Sequence, residues 1–315
     1  MAPAWDPSLL PDLTGKIFVV TGGNTGIGYI TIQHLLSRNA RVWLGARDAT
    51  KAQAAIRSLR ETNPKGEVEH LLLDHMDLAS VARAAEQVLE REKSLNGIIN
   101  NAGIMATPYA LSKDGYEAQW QTNYISHWLL TYKLLPLLQA TAKRQGAGSA
   151  RVVCVTSVGH KFYRQKKIDY GAINSQDSTP YQRYGLSKLG NILHAKQIAA
   201  TYGPSSALGE TGGEVWAATC HPGNYDTQLT QGGGTLVTIA KPLLKLFGII
   251  DTNMDNGSHS SLFIGASQEF KREMCGEYFV PIAKLARPSA IAQDANEATQ
   301  LWSWTEKELR SRSLI

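Results

Sequence analysis

Short apolar runs recur along the chain at 16–20, 41–45, 68–73, 97–100, 151–156, 215–220 and 277–281. Helix-like stretches at about 26–38, 49–62, 78–93, 117–140, 181–202 and 257–267 separate them. Runs rich in β-branched residues with no polar alternation read as strands buried on both faces. Such strands, each followed by a helix, pair in parallel through right-handed crossovers. The pattern predicts an α/β fold, a doubly wound parallel sheet with helices on both faces. Gly203 to Gly213 reads as a loop, and Asn296 to Leu309, with Trp302 and Trp304, as a helix on the domain's surface.

Four local motifs sit at the ends of these elements. The first strand runs into Thr21-Gly22-Gly23-Asn24-Thr25-Gly26-Ile27-Gly28, after which a helix begins. Glycines there permit a tight turn and close backbone approach to a phosphate, with the helix N-terminus facing the anion. The spacing is Gly-x-x-x-Gly-x-Gly, so the generic Gly-x-Gly-x-x-Gly fingerprint is not met, and a plain glycine-rich turn is the competing reading. The fourth strand ends in Asn100-Asn101-Ala102-Gly103, and the fifth ends on Ser157, a residue that elsewhere is only a turn former. Tyr184 and Lys188 form Tyr-x-x-x-Lys, which places a phenol and an ammonium on one helix face. A cation lowers a phenol from its usual pKa of ~10, which would suit Tyr184 to acid–base work. Alone, that pair arises by chance and usually means a solvated helix face.

Together and in this order, Thr-Gly-x-x-x-Gly-x-Gly, Asn-Asn-Ala-Gly, a strand-end Ser and Tyr-x-x-x-Lys resemble the short-chain dehydrogenase/reductase family. The resemblance covers about residues 14 to 285. Tyr-x-x-Ser-Lys-Leu-x-Asn at 184–191, His221-Pro222-Gly223 with Thr227, and Gly-Ala-Arg-Asp at 45–48 are similar to its retinol-dehydrogenase and WW-domain-oxidoreductase branch. It implies one Rossmann-like domain over 1–315. Residues 14–222 would form the cofactor-binding and catalytic core, about 225–256 a substrate lid, and 257–315 the last helix, last strand and C-terminal helix.

The resemblance also implies roles. Tyr184 would exchange a proton with the substrate oxygen, Ser157 would stabilise that oxygen, and Lys188 would hold the nicotinamide ribose and lower the Tyr184 pKa. Asn123 would anchor a water-mediated proton relay. Gly22, Asn24, Thr25, Gly26, Ile27 and Gly28 would cradle the pyrophosphate. Asn101, Ala102 and Gly103 would flank the adenosine ribose, while Pro222, Gly223 and Thr227 would grip the nicotinamide end. Asp74 would hold the adenine amino group, with Asp77 as competitor and His75 a departure from the usual hydrophobic residue. At the end of the second strand the ribose-binding acid is replaced by Ala46, and Arg47 follows. A guanidinium there suits a 2′-phosphate, which points to NADP(H); Arg47 as a surface charge and Asp48 as a helix cap is the plainer alternative.

Bulk properties exclude several classes. The chain has 315 residues, 43% hydrophobic and 19% charged, as in a globular enzyme. Cys154, Cys220 and Cys275 lie far apart and read as reduced thiols, and the eight histidines show no ligand spacing, so no metal is expected. A net charge of +5 comes from scattered residues, consistent with attraction of a polyanionic cofactor rather than with nucleic acid. With no signal-like N-terminus, a cytoplasmic protein is expected, associated with a membrane at most peripherally through Leu236 to Ile250. The reading is an NADP-dependent oxidoreductase interconverting a carbonyl and an alcohol on a small hydrophobic molecule. Retinoid- or steroid-like substrates and a secondary-metabolite tailoring step such as on a polyketide are all compatible, as is a homodimer or homotetramer. The competing reading is a catalytically silent NADP(H)-sensing regulator, against which Ser157, Tyr184 and Lys188 all stand.

Overall fold

A computed structural model describes residues 4–224 and 253–315. Thr227 and nearly all of the expected lid lie outside the described residues. The strands are β1 (Ile17–Thr21), β2 (Arg41–Ala46), β3 (Glu67–Leu72), β4 (Gly97–Asn100), β5 (Ala150–Val155), β6 (Val215–Cys220), β7 (Tyr278–Val280) and β8 (Lys284–Ala286). They form one eight-stranded sheet in the order β3-β2-β1-β4-β5-β6-β7-β8. Every pair is parallel except β7 with β8, which is antiparallel. The strand β8 is absent from the sequence reading because it is short, half polar and at the edge, with Leu285 exposed.

The helices are α1 (Gly26–Ser37), α2 (Ala49–Thr62), α3 (Leu78–Arg91), α4 (Ala118–Trp120), α5 (Ser126–Gln145), α6 (Pro180–Tyr202), α7 (Ala207–Gly212), α8 (Asn256–Ala266), α9 (Ala290–Gln293) and α10 (Ala295–Ser311). Two cores result, one on each face of the sheet. Ile32 of α1, Ile56 of α2 and Phe263 of α8 share one; Val81 of α3, Leu129 of α5 and Leu189 of α6 share the other. Each fully buried aliphatic side chain contributes about 1.5–3 kcal/mol, so it is the two-sided burial of β1, β4 and β5 that holds the sheet's centre.

Two segments differ from the sequence reading. The stretch expected as one helix over 117–140 contains a π-turn at Gln121–Ile125 between α4 and α5. The expected loop 203–213 holds α7, started by Ser206, whose hydroxyl accepts from Gly209 N at 3.0 Å. The C-terminal helix α10 packs on the domain with its inner face, Leu301, Thr305 and Leu309, fully buried. Tyr124 and Thr305 share a buried hydroxyl hydrogen bond of 2.8 Å, and the rings of Trp302 and Trp128 lie 4.8 Å apart. Its apolar stripe recurs at helical spacing, but only the fold shows that α5 and α6 lie beneath it.

Candidate active site

The strand order reverses at β1, whose neighbours are β2 and β4. In open α/β sheets the crevice beyond the strand ends at such a point receives the ligand. The β1–α1 turn lies there. Gly22 and Gly26 hold positive φ angles of 65° and 59°, which side-chain-bearing residues adopt only under strain. A Cβ on Gly28 would fall 2.3 Å from Gly22 O and 2.6 Å from Asn101 Nδ2. Asn101 Nδ2 in turn donates to Thr21 O at 2.9 Å. Thr25 caps α1 without a side-chain hydrogen bond, so the first-turn N–H groups remain available to an anion. Asn24, Gly26 and Ile27 are half-buried around them. These residues fit a dinucleotide pyrophosphate.

A buried node that the sequence reading did not single out fixes the platform opposite. Thr21 Oγ1 accepts from the backbone N–H groups of Asn101 and Ala102, both at 2.9 Å. His127 Nδ1 lies 2.9 Å from the Asn123 carbonyl, which can only accept, so the proton sits on Nδ1 of the ring. Its Nε2 then accepts from the Thr21 hydroxyl at 2.8 Å. Burial pushes His127 well below its ordinary pKa, keeping it neutral, as this arrangement requires. The only sequence signal was His127 lying four residues beyond Asn123. Gly103 follows the platform, half-buried.

At the adenosine end, Arg47 is exposed immediately after β2, and Ala46 is buried. Asp48 is a helix cap, accepting from Lys51 N at 3.0 Å. Asp77 is likewise committed, capping α3 through Ala79 N and meeting Lys113 Nζ at 2.7 Å. Asp74 remains at the end of β3, with one carboxylate oxygen accepting from Met76 N at 3.0 Å. His75 turns inward, 2.6 Å from Ser126 Oγ, and burial pushes it down to about 4.

The catalytic candidates meet where β5 ends against α6. A capping box of Thr179 and Gln182, with Pro180 in the first turn, starts α6. Thr156 Oγ1 donates to Lys188 O at 2.7 Å, and Asn191 Nδ2 donates to Val155 O at 2.9 Å, fastening the helix to the strand. Ser157 caps a short 3-10 turn over Val158–Phe162. His160 locks that turn: its Nδ1 donates to Ser157 O at 2.7 Å and its Nε2 accepts from Ser289 N at 3.0 Å. The Ser157 side chain is placed to lower the Tyr184 pKa.

Tyr184 and Lys188 are both 3% exposed. Burial raises the Tyr184 phenol to about 12, against the smaller lowering by Ser157, and depresses the Lys188 ammonium to about 8. This differs from the expectation that Lys188 draws the phenol down. Lys188 Nζ lies 5.8 Å from the Tyr184 ring centroid and donates to Val155 O at 3.1 Å. Desolvation therefore sets the direction of the Tyr184 shift. Asn123 lies in the π-turn, and its Nδ2 donates to Ser187 Oγ at 2.8 Å. Its Oδ1 accepts from Ile104 N at 2.8 Å. Pro222 and Gly223 follow β6, with Gly223 at a φ of 119°.

A depression of about 650 Å³ between α6, α10 and the Arg272–Glu277 segment contains none of these residues. The site is thus marked by converging groups rather than by that cavity.

Comparison with known proteins agrees with this geometry. The short chain dehydrogenase family profile matches residues 16–173. The chain is 49% identical, over the whole of both proteins, to the short-chain dehydrogenase/reductase drtF of Aspergillus calidoustus. It is 36% identical to dpchH of Colletotrichum higginsianum, over 99% of this chain and 79% of that one. Among solved structures, an uncharacterised protein from Mycobacterium paratuberculosis has a TM-score of 0.74 at 30% identity, covering 98% of each chain. The NADP complex of Pseudomonas aeruginosa RhlG has a TM-score of 0.63 at 21% identity, covering 93% of this chain and all of that one, a likeness of fold. The chain belongs to the short-chain dehydrogenase family, and is an oxidoreductase working with a nicotinamide cofactor. Among the described residues no helix is long and apolar enough to cross a membrane.

Proposed function

We propose that the protein reduces a carbonyl on a small hydrophobic molecule, with NADPH as the preferred cofactor and the reverse oxidation open to it. One observation carries this reading: the buried Tyr184 phenol beside Ser157, with Lys188 one helical turn beyond. Bound NADPH supplies the hydride. With its phenol pushed up to about 12, Tyr184 keeps its proton at neutral pH and can deliver it to the alcohol oxygen as that forms. Ser157 would hold the same oxygen, and the polar pair would align the carbonyl. Lys188, through its ammonium, would hold the nicotinamide ribose. Preference for the 2′-phosphate rests on Arg47, exposed beside a strand end with Ala46 in place of an acid. Val158 and Phe162 of the turn after Ser157, and Tyr181 at the start of α6, are exposed, which supports an apolar substrate. Purified protein screened for NADPH consumption against aldehydes, ketones and quinones tests the proposal. It fails if no carbonyl is turned over while NADPH binds, the behaviour of a sensor without catalysis.

A further inference from the structure

We propose that His34, Asp255 and His259 form a binding site for a divalent transition ion of the zinc class, pinning α1 to α8 at the end of α1 remote from the pyrophosphate turn. The donors come from separate parts of the chain. His34 lies in the last turn of α1, Asp255 is the N-cap of α8, and His259 follows Asp255 by four residues on α8. Residues four apart share a helix face, so Asp255 and His259 form one chelating pair that His34 completes.

The geometry is close to that of a bound ion. His34 Nε2 stands 2.7 Å from Asp255 Oδ1, and His259 Nε2 stands 2.8 Å from Asp255 Oδ2. All three groups offer a ligand atom within 4.8 Å of the others. Ligands at about 2.0–2.2 Å in a tetrahedral shell are about 3.3 Å apart, so small side-chain rotations convert the hydrogen-bonded cluster into a chelate. The rings of His34 and His259 are 6.2 Å apart at 81°, directing their nitrogens from different sides.

One side of the cluster is buried and the other is open to solvent. His259 is 5% exposed, and its Nδ1 is buried without a hydrogen-bond partner. Ligation through Nε2 would leave the ring neutral with its proton on Nδ1, the form in which imidazole binds a metal. Trp5 packs edge-on to the ring with centroids 6.4 Å apart, giving the site a dry wall. Asp255 is 43% exposed, leaving solvent access for an ion and an open position for water. Two imidazoles and a carboxylate suit zinc, cobalt or nickel better than magnesium or calcium. His34 and His259 are 225 residues apart in sequence, so no local spacing announces the set.

The test uses the full chain without an affinity tag, stripped with chelator. Cobalt(II) is titrated by visible absorbance and zinc(II) by calorimetry, with thermal melting followed in parallel. The site predicts one ion per chain, displacement of cobalt by zinc, and a zinc-dependent rise in melting temperature, since an ion that binds only the folded chain stabilises it. His34→Ala is expected to weaken both metals by about tenfold or more, because even outer-sphere partners are worth about 10–100-fold. His259→Ala is expected to do the same; should its buried position prevent folding, the half-exposed His34 decides the matter. Absence of saturable binding overturns the site, as does wild-type affinity in His34→Ala. No readout depends on turnover, so the result is independent of the proposed reaction.

Discussion

A Cβ placed on Gly159 would fall 2.7 Å from Cε1 of Tyr184. The phenol ring thus lies directly on backbone two residues beyond Ser157. Gly185 completes the fit from the helix side, where a Cβ would fall 2.7 Å from Tyr163 N. Gly159→Ala is expected to push the ring aside while leaving the distant pyrophosphate turn intact. Misplacing a catalytic group by about 1 Å can cost about 10²-fold. Steady-state kinetics on an active carbonyl should show a fall in kcat of that order, with NADPH affinity by fluorescence titration nearly unchanged. Wild-type kcat in this variant would mean the contact does not position the phenol.

Tyr184→Phe removes the proton donor and little else, because the ring remains packed. Turnover is expected to fall about 10²–10⁴-fold, the usual worth of general acid catalysis. Ser157→Ala should also reduce the rate, with a smaller effect on cofactor affinity. Single-turnover reduction followed at the NADPH absorbance separates chemistry from binding, and a Tyr184→Phe protein as fast as wild type would sink the mechanism.

The strands were readable because both of their faces are covered, which leaves long apolar runs such as Phe18-Val19-Val20 and Val152-Val153. Tyr184, Lys188 and Ser157 were readable as local motifs at element ends. What was not readable depends on neighbours remote in sequence. The Lys188 ammonium was expected to dominate the phenol, yet the depth of burial, a tertiary quantity, reverses the direction of the shift. The Thr21–His127 bond joins residues 106 apart, and no periodicity reports it. The π-turn at Gln121–Ile125 keeps helical dihedrals on both sides, so an apolar pattern cannot distinguish it from α-helix.

Arg47→Glu tests cofactor choice. The exposed guanidinium would be replaced by a carboxylate beside the expected 2′-phosphate. Hydrogen bonds to charged groups contribute about 1.5–3 kcal/mol, so NADPH should weaken by an order of magnitude or more while NADH changes little. Parallel titrations of wild type with both cofactors come first. Equal affinities there would refute the role of Arg47 before any variant is made.

Lys188→Met is expected to abolish turnover yet raise stability at neutral pH. The wild-type ammonium is buried, with Val155 O as its hydrogen-bond acceptor, and its pKa is depressed from 10.5 to about 8. Below pH 8 both folded and unfolded chains carry the charge, and the folded state bears its full desolvation cost. Between about 8 and 10.5 the folded lysine has lost its proton while the unfolded one retains it. The unfolded state then binds more protons, so wild-type stability gains from rising pH through this group. Methionine removes the cost at every pH and nearly preserves volume; replacing buried ions with apolar groups often stabilises by about 1–4 kcal/mol. Denaturant unfolding of the two proteins should therefore differ most at pH 7, and the gap should narrow as pH rises from 8 towards 10. Taking the difference between variants cancels Tyr184, whose raised pKa favours the folded state until pH exceeds its unfolded value near 10. A gap that is constant with pH, or a less stable Lys188→Met protein at pH 7, would show that Lys188 is not held against desolvation in the folded chain.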